Sequence, residues 1–132
     1  MAMSSRADLE GLKVLLVDDH RDSAESLSTL LSTFGCRPSV CFDASSALQS
    51  VEAITPDVVV LDIRLPDMSG TELCGRLRAL ESLRSAALIA LTGAADDATL
   101  DEVREAGFHV TLTKPVELET LLRVLAEAAS AR

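Results

Sequence analysis

Val58-Val59-Val60-Leu61-Asp62-Ile63-Arg64-Leu65-Pro66-Asp67-Met68-Ser69-Gly70 decides how the rest of this chain is read. A run of β-branched and apolar residues reads as a strand buried on both faces, and it stops on a carboxylate followed by a Pro- and Gly-punctuated loop. Asp62 therefore falls at the C-terminal end of a central strand. In an open parallel α/β sheet that edge is where ligands gather, because the connecting loops converge there.

On either side of it the same pattern recurs. Leu12 to Val17 form an apolar strand that Asp18-Asp19 end, and Leu27, Leu30, Leu31 and Phe34 mark one face of a helix from about Asp22, with Gly35 placed to stop it. Ser39 to Phe42 read as an edge strand, since Pro38 cannot donate to a ladder. Asp43 or Ser45 can cap a helix running to about Ala53, and Pro56-Asp57 lead into the central strand. Beyond it, Leu73, Leu77 and Leu80 mark a third helix, and Ala87 to Leu91 a fourth strand ending on Thr92-Gly93. Asp96 and Asp97 open a weakly amphipathic helix with Leu100 and Val103. Val110 to Thr113 make a fifth strand ending on Lys114-Pro115, and Leu118, Leu121, Leu122 and Leu125 line a closing helix. Strands alternating with helices predict an α/β, (βα)5 doubly wound parallel sheet of the flavodoxin-like kind, in the order 2-1-3-4-5.

At 132 residues the chain suits one domain, read as a short N-terminal extension over 1–11 and a folded unit over 12–132. Hydrophobic content of 48% against 25% charged residues is globular rather than disordered. With aromatics at 2%, the core must come from Leu, Val, Ile and Ala. A net charge of −9 disfavours nucleic acid and anionic membrane as direct partners and suits cations or basic proteins. Cys36, Cys41 and Cys74 form no C-x-x-C pair and read as reduced, small hydrophobes. The first ten residues hold no signal-peptide pattern and no run reaches the length of a membrane span, so a cytoplasmic location is expected.

The predicted strand ends bring Asp18, Asp19, Asp62, Thr92 and Lys114 to one edge. Three carboxylates together repel unless a cation joins them, and a hard divalent ion such as Mg2+ is the economical partner. The set suits phosphoryl transfer onto a carboxylate. Asp62 would attack, Asp18 and Asp19 would hold the metal, Lys114 would pair with a phosphoryl oxygen and Thr92 would donate to another. Singly, each has a plainer role as a helix cap, a turn residue, a strand end or a solvated lysine; it is their joint placement that points to chemistry.

Four stretches, Val14-Leu15-Leu16-Val17-Asp18-Asp19, Leu61 to Gly70, Ala90-Leu91-Thr92-Gly93 and Leu112-Thr113-Lys114-Pro115, closely resemble receiver domains of two-component response regulators. The wording of Asp19-His20-Arg21-Asp22 and Leu-Thr-Lys-Pro looks most like receivers of hybrid histidine kinases. The resemblance implies phosphorylation of Asp62 by a histidine kinase or histidine phosphotransfer protein, with Mg2+ held by Asp19, Asp62 and the Arg64 backbone carbonyl and assisted by Asp18. It implies a cis Lys114-Pro115 bond and a phosphoacceptor rather than a turnover enzyme. Its output would reach a protein target or a parent hybrid kinase.

The chain departs from that family at Thr111, where an aromatic switch residue is usual, while His109 lies about 6.6 Å further along the strand and reads as a solvated edge histidine. Arg64 and Ala94 occupy positions that tune phosphoryl lifetime. Arg64 could shield the phosphoryl group or pair with Asp67, and Gly93 leaves room for a bulky donor. Two further readings stand beside this one. An aspartyl-nucleophile phosphohydrolase would need an acid/base Asp two residues after its nucleophile, and a binding-only module would keep the site without using it.

Overall fold

The computed structural model describes residues 9–93 and 100–130. Five strands form one parallel sheet in the order β2-β1-β3-β4-β5: β1 (Lys13–Val17), β2 (Arg37–Cys41), β3 (Val58–Asp62), β4 (Ala87–Thr92) and β5 (Val110–Thr113). Between and after them run α1 (Arg21–Thr33), α2 (Ala44–Ile54), α3 (Gly70–Arg78), α4 (Leu100–Ala106) and α5 (Leu118–Ser130), with a short 3-10 turn at Glu81–Leu83. The expected topology is the observed one. Asp96, Asp97 and Ala94, assigned above to the start of the fourth helix and to the loop before it, lie outside the described residues.

Strand side chains alternate, and the two faces are both covered. Leu15, Val17, Val59, Leu61, Leu88 and Ala90 pack under α2, α3 and α4. Val14, Leu16, Val58, Val60, Ile89 and Leu91 pack under α1 and α5 through Leu31, Leu121 and Leu125. All five residues of β3 are buried, as a doubly covered central strand requires. Leu9 also joins the second cluster, so the segment before β1 is anchored to the sheet.

Local rules explain the boundaries. Gly35 closes α1 at φ +96°, a left-handed conformation that costs glycine little. Pro38 sits inside β2, one residue further in than expected. Arg37 donates its N–H to Leu12, just before β1, at 2.8 Å, so by alternation the Pro38 nitrogen faces the open edge, where no ladder bond is lost. Asp43 caps α2 by accepting from Ser46 N at 2.8 Å. Ser69 caps α3 by accepting from Glu72 N at 3.1 Å, half of a capping box that Ser69-Gly70-Thr71-Glu72 spells out. Asp57 Oδ2 accepts from Lys13 N at 2.9 Å and ties the start of β1 to that of β3.

At the edge of the sheet remote from Asp62, Arg78 acts as a clasp. Its guanidinium donates to the carbonyls of Ala86 at 2.9 Å, Gly107 at 3.2 Å and Leu83 at 3.4 Å, and meets His109 Nδ1 at 2.8 Å. Leu88 N also donates to that nitrogen, at 3.2 Å. Nδ1 is therefore an acceptor, and the ring proton belongs on Nε2. His109 is exposed beside the edge strand, as read from the sequence, and its ring is in addition held at the end of the sheet by Arg78 and by Leu88 N.

Burial pushes the His109 pKa below its ordinary value, and the Arg78 charge adds to the effect. A depressed folded-state pKa means full stabilisation above about pH 6.5 and progressive loss as pH falls through the folded value. The urea midpoint is expected to drop between about pH 6.5 and pH 5 in the native chain, and less in His109→Asn, which keeps an acceptor but cannot titrate. Parallel drops in the two proteins would contradict the clasp. Arg78→Met should cost about 2–3 kcal/mol in the same assay, since several carbonyls lose a charged donor together.

Candidate functional site

The C-terminal ends of β1, β3, β4 and β5 meet at one edge. Register places Asp62 opposite Leu91 and Thr92 opposite Thr113, so the polar residues at and after the strand ends emerge side by side. Asp62 and Asp18 are buried, at 4% and 7% exposure, and are the buried charged residues among those described. Lys114 reaches back between them, its Nζ 2.7 Å from Asp62 Oδ2 and 3.4 Å from Asp18 Oδ2.

Electrostatics follow from this crowding. Burial pushes the Asp62 carboxyl above its ordinary range, against the pull of Lys114 and of the Arg64 N–H, which donates to Oδ1 at 2.9 Å. Burial also works against the Lys114 ammonium, yet the hydrogen bond and charge of Asp62, joined by the charge of Asp18, hold its pKa above the usual value. At 2.7 Å the contact is that of a carboxylate with an ammonium.

Asp18, Asp19, His20 and Asp62 each offer a ligand atom, all within 4.8 Å of one another, a set that could hold a metal ion. The three aspartates are the expected ones. His20 was not singled out from the sequence, although its place directly after two aspartates at a strand end was the available signal. Thr92 stands at the same edge, and its hydroxyl donates to the Leu112 carbonyl at a long 3.5 Å rather than to a carboxylate. Lys114-Pro115 is cis, as the resemblance implied.

The loop after Asp62 is held tightly. Arg64 pairs antiparallel with Ser69, and Gly70 N donates to Ile63 O at 2.8 Å, folding the loop back on its own strand. Asp67 accepts from Ala44 N and Ser45 N, both at 2.9 Å, and so joins the loop to the N-terminus of α2. Those two bonds lower its pKa from the ordinary carboxylate value. Beside the acidic cluster, an apolar cavity of about 590 Å3 opens between α1 and the residues after β5, lined by Leu27, Leu30, Val116 and Pro115 and also by Asp18 and Lys114. Gly93 also lines it.

Parallel order, strand-end carboxylates and the lysine between them define a receiver. The response regulator receiver domain family matches residues 14–126, and the chain belongs to that family. Its relatives are response regulators of two-component systems. Sensory transduction protein RegX3 of Mycolicibacterium smegmatis is 38% identical over 111 residues, which take in 83% of this chain and 46% of RegX3. The chain thus spans just under half of that relative. Protein PilG of Pseudomonas aeruginosa is 30% identical over 115 residues, 86% of this chain and 84% of its own. Among solved structures, chemotaxis response regulator CheY4 of Vibrio cholerae superposes with a TM-score of 0.82 at 27% identity, over 89% of this chain and 98% of CheY4.

Gly70 is a sharp test of the loop. A Cβ there would run into the backbone of Asp62 and Ile63, so Gly70→Ala should destabilise by about 1–3 kcal/mol by denaturant titration. Gly75, mid-helix and with nothing within 4 Å of where a Cβ would stand, is the control: Gly75→Ala should stabilise by about 0.5–1 kcal/mol.

Proposed function

We propose that the folded unit over residues 12–132 accepts a phosphoryl group on Asp62 from the phosphohistidine of a histidine kinase or histidine phosphotransfer protein. The observation that carries this reading is a buried Asp62 carboxylate with the Lys114 ammonium 2.7 Å away and Asp18 beside both. An Asp62 oxygen attacks phosphorus, the P–N bond to the donor imidazole breaks, and the leaving nitrogen keeps the electron pair and takes up a proton. Negative charge spreads over the equatorial oxygens as this happens, so the chain's task is positioning and charge compensation. Lys114 pairs with one of these oxygens, and Thr92 turns its hydroxyl from Leu112 to another.

Asp19, Asp62 and the Arg64 backbone carbonyl, with Asp18 assisting, are the proposed holders of Mg2+. Their oxygen donors suit a hard cation. When bound, the ion would offset the charge of the phosphoryl oxygens and of the carboxylates around them. The apolar cavity beside Asp18 and Lys114 offers the donor protein a place to seat an apolar side chain next to its histidine. Thr111, half-buried in β5 opposite Ala90, is too small to swing as an aromatic would, so output is proposed to depend on the Thr92 movement itself, acting on a partner protein or a parent hybrid kinase. The chain is proposed to work as a phosphoacceptor, in the cytoplasm, without multiple turnover.

Intact mass after incubation with acetyl phosphate tests this, with Mg2+ or chelator, on the native chain and Asp62→Asn. One phosphoryl group should be gained, in Mg2+ only and in the native chain only. Failure with acetyl phosphate and with a phosphohistidine donor alike would leave a binding module in a receiver's shape. Lys114→Ala should cut the rate of gain by about 10^2-fold or more, the usual scale for losing a charge at a developing oxyanion.

A further inference from the structure

We propose that the His20 imidazole is a nitrogen ligand at the carboxylate cluster, so that this receiver favours later first-row transition ions such as Co2+ over Mg2+. The inference rests on the metal-binding reading of Asp18, Asp19 and Asp62 given above.

The position of the ring supports it. His20 Nδ1 stands 3.4 Å from Asp18 Oδ1 and 3.6 Å from Asp19 Oδ1. Direct N–H···O bonds are shorter, about 2.7–3.2 Å, so neither contact is a settled hydrogen bond. Neighbouring ligands around an ion with bonds of about 2.1 Å stand about 3.0 Å apart in octahedral and about 3.4 Å apart in tetrahedral arrangement. The nitrogen thus lies at co-ligand spacing from two carboxylate oxygens at once, and the Asp62 oxygen belongs to the same group within 4.8 Å.

Among the described residues the contacts recorded for the ring are those to the Asp18 and Asp19 carboxylates. His20 is the N-cap of α1, a place where Ser, Asp or Asn would accept from the first turn, yet its side chain makes no capping bond. Its backbone N–H is what holds it, donating to Asp18 Oδ1 at 3.0 Å and so fixing the residue over the cluster. The side chain is 71% exposed, which leaves the ring free to close onto an ion arriving from solvent.

Chemistry then sets the preference. Carboxylates and water satisfy Mg2+, which gains little from imidazole; Mn2+ also prefers oxygen but accepts a nitrogen, and Co2+ and later ions take mixed oxygen and nitrogen sets with rising affinity. An imidazole added to an oxygen site raises affinity selectively, along the series and away from Mg2+.

Mn2+ binding followed by electron paramagnetic resonance, with Mg2+ and Co2+ as competitors, tests this on the native chain, His20→Ala and His20→Asn. The asparagine variant retains a good N-cap and guards against a loss of fold. The native chain should prefer Co2+ over Mg2+ by a ratio that falls roughly tenfold in both variants, with Mg2+ affinity little changed. Spin-echo modulation from an imidazole 14N should be present on bound Mn2+ in the native chain and lost in both variants. Bound Mn2+ without that modulation, or an unchanged Co2+ to Mg2+ ratio, overturns the role of His20 while leaving the phosphoacceptor reading intact. Failure of any divalent ion to bind overturns both.

Discussion

Asp62 is a buried carboxyl beside a second one, Asp18, and much of the surrounding architecture answers to that placement. Desolvating a carboxylate next to a second one is costly, and two features offset it: an ammonium on the neighbouring side and a backbone N–H from the loop that follows. The ammonium is not local to β3. Lys114 arrives 52 residues later, from the end of β5, so the site exists only when the sheet is complete. Folding and assembly of the site are one event, and a chain lacking its last strand would hold two buried aspartates without the cation that balances them.

Parallel order makes that assembly possible. Each crossover between parallel strands returns the chain to the same end, so residues spread over nearly the whole sequence emerge along one edge. The two faces of the sheet share the work unequally. The face under α2, α3 and α4 holds the loop after Asp62 through Asp67 and Gly70. The face under α1 and α5 carries the open cavity, with Leu30 left exposed at its rim.

Most of this was legible in the residues because it depends on pattern. The valine run before Asp62, the leucine spacing of the helices and the strand-end aspartates each have a physical reason that needs no coordinates. What escaped reading depends on side chains meeting across the fold. Nothing in the sequence pairs Asp67 with the amides of Ala44 and Ser45, 23 and 22 residues away. Nothing pairs Arg78 with His109, since both are polar residues at element ends, where solvent is the ordinary expectation. His20 was the nearer miss: its neighbours were read as candidate ligands, but a histidine beginning a helix gives no sign of which way its ring turns.

The clasp at Arg78 fixes the end of the sheet opposite the carboxylates. The last turn of α4 is tied to α3 twice, by Arg78 to the Gly107 carbonyl and by Cys74 Sγ to the Ala106 carbonyl at 3.2 Å. Gly107 itself is at φ +113° with the Arg78 stem against it, so the joint is shaped for glycine. Two ties at one joint hold α3 and α4 as a unit at the end of the sheet opposite the carboxylate edge.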